Sequence, residues 1–219
     1  MSPDDPTPAA EQDPPAATRI LEAACELIAA EGIEEVRIAR VAQRAGASTS
    51  LVHHYFSTRE DLLEQALVHS FEQAGDERFG DGDGAGGGDA ARGGSALDAL
   101  AAAIRESLPY PGRQEREWVL WVELWIRAVR EPGLRPVAAR MYERYRTWMT
   151  GLITAGVESG ELGADVDVEG AAELAVALLD GAGVRAMLGD PGMDVDDARR
   201  LVAAQLAGAL GIDPGRLEG

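Results

Sequence analysis

Between Val36 and Arg59 the chain reads VRIARVAQRAGASTSLVHHYFSTR, with four arginines and neither aspartate nor glutamate. Its short hydroxyl side chains Ser48, Thr49 and Ser50 are followed one helical turn later by the imidazoles of His53 and His54, then by Tyr55. Hydroxyls, imidazoles and guanidinium groups at that spacing suit hydrogen bonding to base edges and phosphates. The chain as a whole carries a formal net charge of −18 at pH 7. Such a protein repels a polyanion everywhere except where positive charge is concentrated, so contact with nucleic acid must be focal. The acid-free window is where that contact is expected.

Other chemistries have less support. His53 and His54 are adjacent, so on a helix they point about 100° apart, and the one other histidine is His69; no metal site is expected. No Ser/His/Asp or Cys/His arrangement has sequence support, so catalysis is not expected, and no cofactor is implied. The single cysteine, Cys25, excludes an internal disulfide and suits a reducing cytoplasm. It sits on an apolar helix face and reads as a small buried hydrophobe. No apolar run approaches the roughly 20 residues of a membrane-spanning helix, and the Pro-rich, acidic N-terminus lacks the features of a signal peptide. A cytoplasmic location without membrane contact is expected.

To present its polar groups, the window must fold as helix, tight turn, helix. A first helix is expected over Ala16–Glu31, with Ile20, Leu21, Ala24, Leu27 and Ile28 forming one apolar stripe and Gly32 ending it. A second, about Ile38 to Ala45, turns Val41 and Ala42 inward and Arg37, Arg40 and Arg44 outward. Gly46 permits the turn, and Ser48 caps a third helix over Ser48–Phe56. There Val52 and Phe56 face inward, leaving Thr49, Ser50, His53 and His54 on the opposite side. Arg37, Tyr55 and Arg59 flank that face, placed for phosphates, and Leu51 either touches a thymine methyl or packs. A fourth helix starts at Thr58, with Asp61 completing an approximate capping box, and runs to about Glu77.

The rest reads as helices at about 95–108, 113–131, 134–159, 167–189 and 194–210, broken by Pro and Gly, with no strand-like alternation. The expected fold is all-α: a three-helix N-terminal helix-turn-helix domain (16–63) and a larger C-terminal bundle (64–212) for ligand binding and dimerisation. Residues 1–15 form a disordered arm, 80–94 a flexible Gly-rich loop and 213–219 a tail. The loop starts like a calcium site, but Ala85 and Arg92 stand where oxygen ligands are required. Trp118, Trp121 and Trp125 fall on one face of a helix. They fill the core or, with Trp148, line a cavity with Met141, Tyr142, Tyr145 and Met149 opposite; an acid there would suit a cation. Glu123 is an acid within the same helix, but it does not share the Trp118 face. Ala172, Ala175, Ala177, Gly181, Ala182 and Gly183 are small enough for close helix approach in a dimer interface.

Over Thr18–Leu67, TRILEAACELIAAEGIEEVRIARVAQRAGASTSLVHHYFSTREDLLEQAL, the chain resembles the TetR family of bacterial transcriptional regulators in order, spacing and buried positions. It departs from the family pattern where Arg37 replaces a usual Thr, His53 a usual Tyr, Tyr55 a common His and Arg59 a usual Lys. The departures bear on the half-site sequence. About Gln114 to Leu210 resembles the BetI-type ligand domain of that family. The resemblance implies a homodimer through the last two long helices, a palindromic double-stranded DNA operator and an unknown small-molecule effector. It implies a repressor in which effector binding among the middle helices shifts the fourth helix and spoils the spacing of the recognition helices. DNA contacts are expected from Arg37, Ser48, Thr49, Ser50, His53, His54, Tyr55 and Arg59, and effector contacts from Trp118, Trp121, Trp125, Met141, Tyr145 and Trp148. The competing expectation is a dimeric helical interaction protein without DNA binding.

Overall fold

The computed structural model describes residues 15–79 and 95–218, apart from the side chains of 77–79. The arm expected over 1–15, except Pro15, the loop expected at 80–94, and Gly219 of the tail lie outside them. The described residues are helical, without strands: α1 (Ala16–Glu31), α2 (Ile38–Arg44), α3 (Thr49–Tyr55), α4 (Arg59–Phe79), α5 (Ala96–Glu106), α6 (Arg113–Arg130), α7 (Arg135–Glu158), α8 (Val168–Met187) and α9 (Val195–Leu210), with short 3₁₀ turns at Ile33–Glu35, Pro132–Leu134 and Pro214–Leu217.

Local chemistry places the helix starts. Ser48 accepts from Leu51 N–H at the head of α3, and Ser95–Asp98 and Asp194–Asp197 close reciprocal capping boxes on α5 and α9. At α4 the expected box is stretched by one residue: Asp61 N–H donates to the Thr58 hydroxyl, but the Asp61 carboxylate accepts from Ser57 N–H. Gly46, at φ 62°, supplies the left-handed residue that the turn between α2 and α3 requires.

Two apolar cores result. One is built by α5, α7, α8 and α9, around Leu100, Ile104, Met149, Ile153, Leu179 and Leu206. The other gathers α1–α4 around Ile20, Ile28, Val41, Val52, Phe56, Leu63 and Leu67. It also takes Leu120, Trp121, Leu124 and Ala128 from α6 and Met141 from α7. Cys25 on α1 donates its thiol to the Ala66 carbonyl of α4 at 3.1 Å, and burial pushes that thiol up to about 12. The cores meet at an aromatic seam, where Trp121 stacks on Phe71 of α4 at 5.6 Å between centroids and meets Tyr145 of α7 edge-on at 6.3 Å.

On α8 the small residues divide between two faces. Ala172, Ala175, Ala182 and Gly183 are buried inside the subunit, whereas Ala177 and Gly181 lie on the outer face with Leu174 and Leu188. Gly183 permits a close approach: a Cβ there would stand 2.3 Å from the Trp118 ring. The ring is held in place, its indole N–H donating to the Ser107 carbonyl at 3.1 Å. Gly183→Ala should therefore destabilise the fold by about 2 kcal/mol through overpacking, measured by urea unfolding; unchanged stability would mean that Trp118 is free to move aside.

Candidate nucleic-acid interface and effector site

Val52 and Phe56 anchor α3 in the core of α1–α4, at 0% and 2% exposure. Thr49, Ser50, His53, His54 and Tyr55 are all exposed, and the His54 and Tyr55 rings meet edge-on at 5.2 Å. The helix therefore shows solvent one row of hydroxyl and imidazole groups with no acid among them. Ser48 is exposed and caps through its oxygen, which leaves its O–H free to donate. Arg37, at the N-cap of α2, makes no side-chain cap; its guanidinium turns back to the Glu34 carbonyl and remains exposed.

The positive charge of the window is smaller in space than in sequence. Arg40 is paired with Glu31, whose carboxyl it holds below the usual range, and Arg44 Nε reaches Glu26 at 2.5 Å. Both acids belong to α1 and come back across the turn onto α2. They lie outside the sequence window, 9 and 18 residues from their partners. Arg59 is directed inward, to the carbonyls of Ile33, Glu34 and Val36.

The second candidate site is aromatic. Trp118, Trp121 and Trp125 of α6 lie about one ring from each other, with centroids 5.9, 6.0 and 6.3 Å apart. Across from them on α7, Tyr142 lies nearly parallel to Trp125 at 6.4 Å, and Tyr145 stacks on Trp148 at 6.0 Å. Met141 lies in the core of α1–α4, the same core that takes Trp121 and Leu124 from α6. Trp125 also borders an open cleft of about 420 Å³ lined by Ala128, Val129, Arg135 and Ala138. Its indole N–H is buried without a hydrogen-bond partner.

The acid of this cluster is Asp180 of α8, which sequence reasoning missed. Tyr142 donates its hydroxyl to Asp180 Oδ2 at 2.7 Å. Burial pushes the Asp180 carboxyl up to about 6 against the opposing pull of that hydrogen bond, and burial beside the carboxylate raises the Tyr142 phenol well above its ordinary value. Its signal is visible in the sequence: a lone acid inside the apolar run LAVALLDGAGV. Glu123 faces elsewhere, toward Glu34 at the turn after α1; its carboxyl is raised by burial, against the lowering effect of Arg127.

Asp180 binds its proton more tightly in the folded chain than in the unfolded one. The stability it contributes is full below about pH 4 and is lost as pH rises through about 6. Asp180→Asn, which still accepts from Tyr142, should remove that slope and stabilise the protein at neutral pH by up to about 3 kcal/mol. Urea unfolding at pH 5 and 7.5 checks this; an identical pH dependence in both proteins would deny the carboxylate its burial penalty.

Residues 96–211 match the family described as BetI-type transcriptional repressor, C-terminal, and residues 20–66 match bacterial regulatory proteins, tetR family. The HTH-type transcriptional regulator BetI 1 of Chromohalobacter salexigens is 26% identical over 187 residues, 84% of each chain. A putative transcriptional regulator from Saccharomonospora viridis, solved in complex with choline, is similar at a TM-score of 0.74 and 28% identity, covering 88% of this chain and 95% of its own. A putative TetR-family regulator from Rhodococcus sp. is similar at a TM-score of 0.68 and 27% identity, covering 89% and 98%.

Proposed function

The chain belongs to the TetR family of bacterial regulatory proteins, with a BetI-type repressor C-terminal domain, and is a transcriptional regulator; we propose that it works as a homodimeric repressor released from a palindromic operator by a small organic cation of the choline class. Residues 16–63 form the DNA-binding head, 64–212 the ligand-binding and dimerisation part, and 213–219 the tail. The protein works in the cytoplasm; among the described residues no helix is long and apolar enough to cross a membrane.

Thr49, Ser50, His53 and His54 enter the major groove, while Arg37, Ser48 and Tyr55 hold the adjoining backbone. Two heads must be spaced about 34–36 Å apart to reach successive major grooves. The outer face of α8 and α9 sets that spacing. It carries Leu174, Ala177, Gly181 and Leu188 on one helix and Gly208 and Ala209 on the other, all exposed in the subunit. A Cβ at Gly181 or Gly208 would meet nothing within 4 Å, so the subunit itself places no demand on either glycine, whereas a close helix–helix interface does. Gly181→Glu should give a folded monomer that no longer binds operator, seen by light scattering and DNA binding; a dimeric variant would move the interface elsewhere.

The observation that carries the effector class is the half-buried Asp180 carboxylate held by Tyr142, which itself lies along Trp125. Aromatic faces and a desolvated acid together suit an organic cation whose methyl groups bury like hydrocarbon. The unpartnered Trp125 N–H leaves a donor for a hydroxyl oxygen on such a ligand. The choline complex of the similar Saccharomonospora viridis regulator supports this choice. Binding acts on DNA only so far as the cation prefers the released arrangement of the helices over the operator-bound one.

Operator DNA selected with the wild-type protein should be bound more weakly as salt rises and be released by choline. Choline affinity should fall below about pH 6, by up to tenfold per unit, as Asp180 protonates, and Asp180→Asn should bind operator but ignore choline. Release that is insensitive to both pH and this substitution would place the effector elsewhere, and absence of any selected operator would sink the DNA-binding assignment.

A further inference from the structure

Arg59 opens α4 directly after the recognition helix, where a basic side chain is expected to reach for a phosphate. Its donors are used inside the protein. Nε donates to the Val36 carbonyl at 2.7 Å, and Nη2 donates to the Ile33 and Glu34 carbonyls at 2.7 and 3.0 Å. Nη1 lies 3.5 Å from the Glu60 carboxylate, and the side chain is only 24% exposed. The three carbonyls all belong to the turn that joins α1 to α2, 23 to 26 residues away in sequence. Arg37 grips the Glu34 carbonyl as well. A guanidinium can bridge these acceptors because its donors are fixed in a planar fork; an ammonium on a flexible stem is a point charge and cannot copy that arrangement.

We propose that Arg59 is a positioning residue for DNA recognition: it locks the Ile33–Val36 turn, and with it the start of α2, onto the first turn of α4, and does not neutralise a phosphate. The inference rests on the DNA-binding reading above. The far end of α4 is held in a similar way. Arg144 of α7 donates to Asp76 at 2.8 Å, and its guanidinium lies against Gly75, where a Cβ would meet Nη1 at 2.7 Å. α7 also carries Tyr142 and Tyr145 of the aromatic cluster. Arg59 thus ties the head to the first turn of α4, and Arg144 ties the far part of α4 to α7.

Two measurements on the full-length protein test this: operator affinity between about 50 and about 200 mM salt for wild type, Arg59→Lys, Arg59→Ala and Arg37→Ala, and amide hydrogen exchange of the DNA-free proteins. A positioning role predicts that both Arg59 variants bind at least about tenfold more weakly with an unchanged slope of log affinity against log salt. It also predicts faster exchange confined to the 33–38 turn and the first turn of α4. Arg37→Ala, which loses a phosphate contact, should lower the slope by about one. The proposal is overturned if Arg59→Lys binds like wild type, if Arg59→Ala lowers the slope by about one while exchange is unchanged, or if exchange quickens evenly throughout the chain. If the wild-type protein selects no operator at all, the DNA-binding reading fails on its own, and exchange at the turn still reports whether Arg59 locks it.

Discussion

The head of this protein cannot bury enough apolar surface by itself. Two of its three helices are seven residues long, and a unit of that size lacks the interior to offset its loss of chain entropy. It is completed from outside by Ala66, Leu67 and Phe71 of α4 and by Leu120, Trp121 and Leu124 of α6, which join Leu62 and Leu63 at the head's end. This borrowing makes the two halves mechanically dependent. Trp121 fills the head's core on one side and, on the other, touches Trp118, Trp125 and Tyr145. Close-packed interiors transmit displacement rather than absorb it, so a rearrangement of the aromatic cluster cannot leave the head's packing untouched.

Electrostatics sharpens what packing allows. A chain of net charge −18 repels DNA over most of its surface, and its proposed contact runs along one exposed row of hydroxyl and imidazole groups. Glu26 and Glu31 trim even the local excess by pairing with Arg44 and Arg40. What remains is modest attraction with directional hydrogen-bond donors and acceptors. That balance favours reading bases over holding phosphates, because nonspecific affinity rises with the number of neutralised phosphates.

Much of this was legible beforehand, for reasons that differ from element to element. The helix ends were readable because Gly32, Gly46, Ser48 and the Pro-Gly breaks act locally, and α3 was readable because Val52 and Phe56 recur one turn apart against polar neighbours. Tertiary facts were less accessible. The carboxylates that quench Arg40 and Arg44 lie on another helix, and a charge count along a window does not register them. The run of small residues on α8 marked close packing but not which side faced which neighbour; the subunit's own core claims Ala172, Ala175, Ala182 and Gly183. Asp180 is far from the tryptophans in sequence, and it meets the aromatic wall only because α8 packs against α7, where Tyr142 donates to its carboxylate. Charge alone points Arg59 at a phosphate, whereas the orientation of its fork depends on a turn more than twenty residues upstream.

The thiol of Cys25 lies in the joint between α1 and α4, bonded to the Ala66 carbonyl and kept protonated far above neutral pH. It is the chain's one cysteine. A thiol so placed, part-buried and protonated, reacts slowly while those two helices stay joined and faster when they part, since the thiolate is the attacking species and burial suppresses it. The rate at which a soluble disulfide reagent modifies this protein is therefore a clock for the opening of the joint between head and α4. It ticks without any added label, and operator or effector should slow or quicken it according to which arrangement of the helices each one holds.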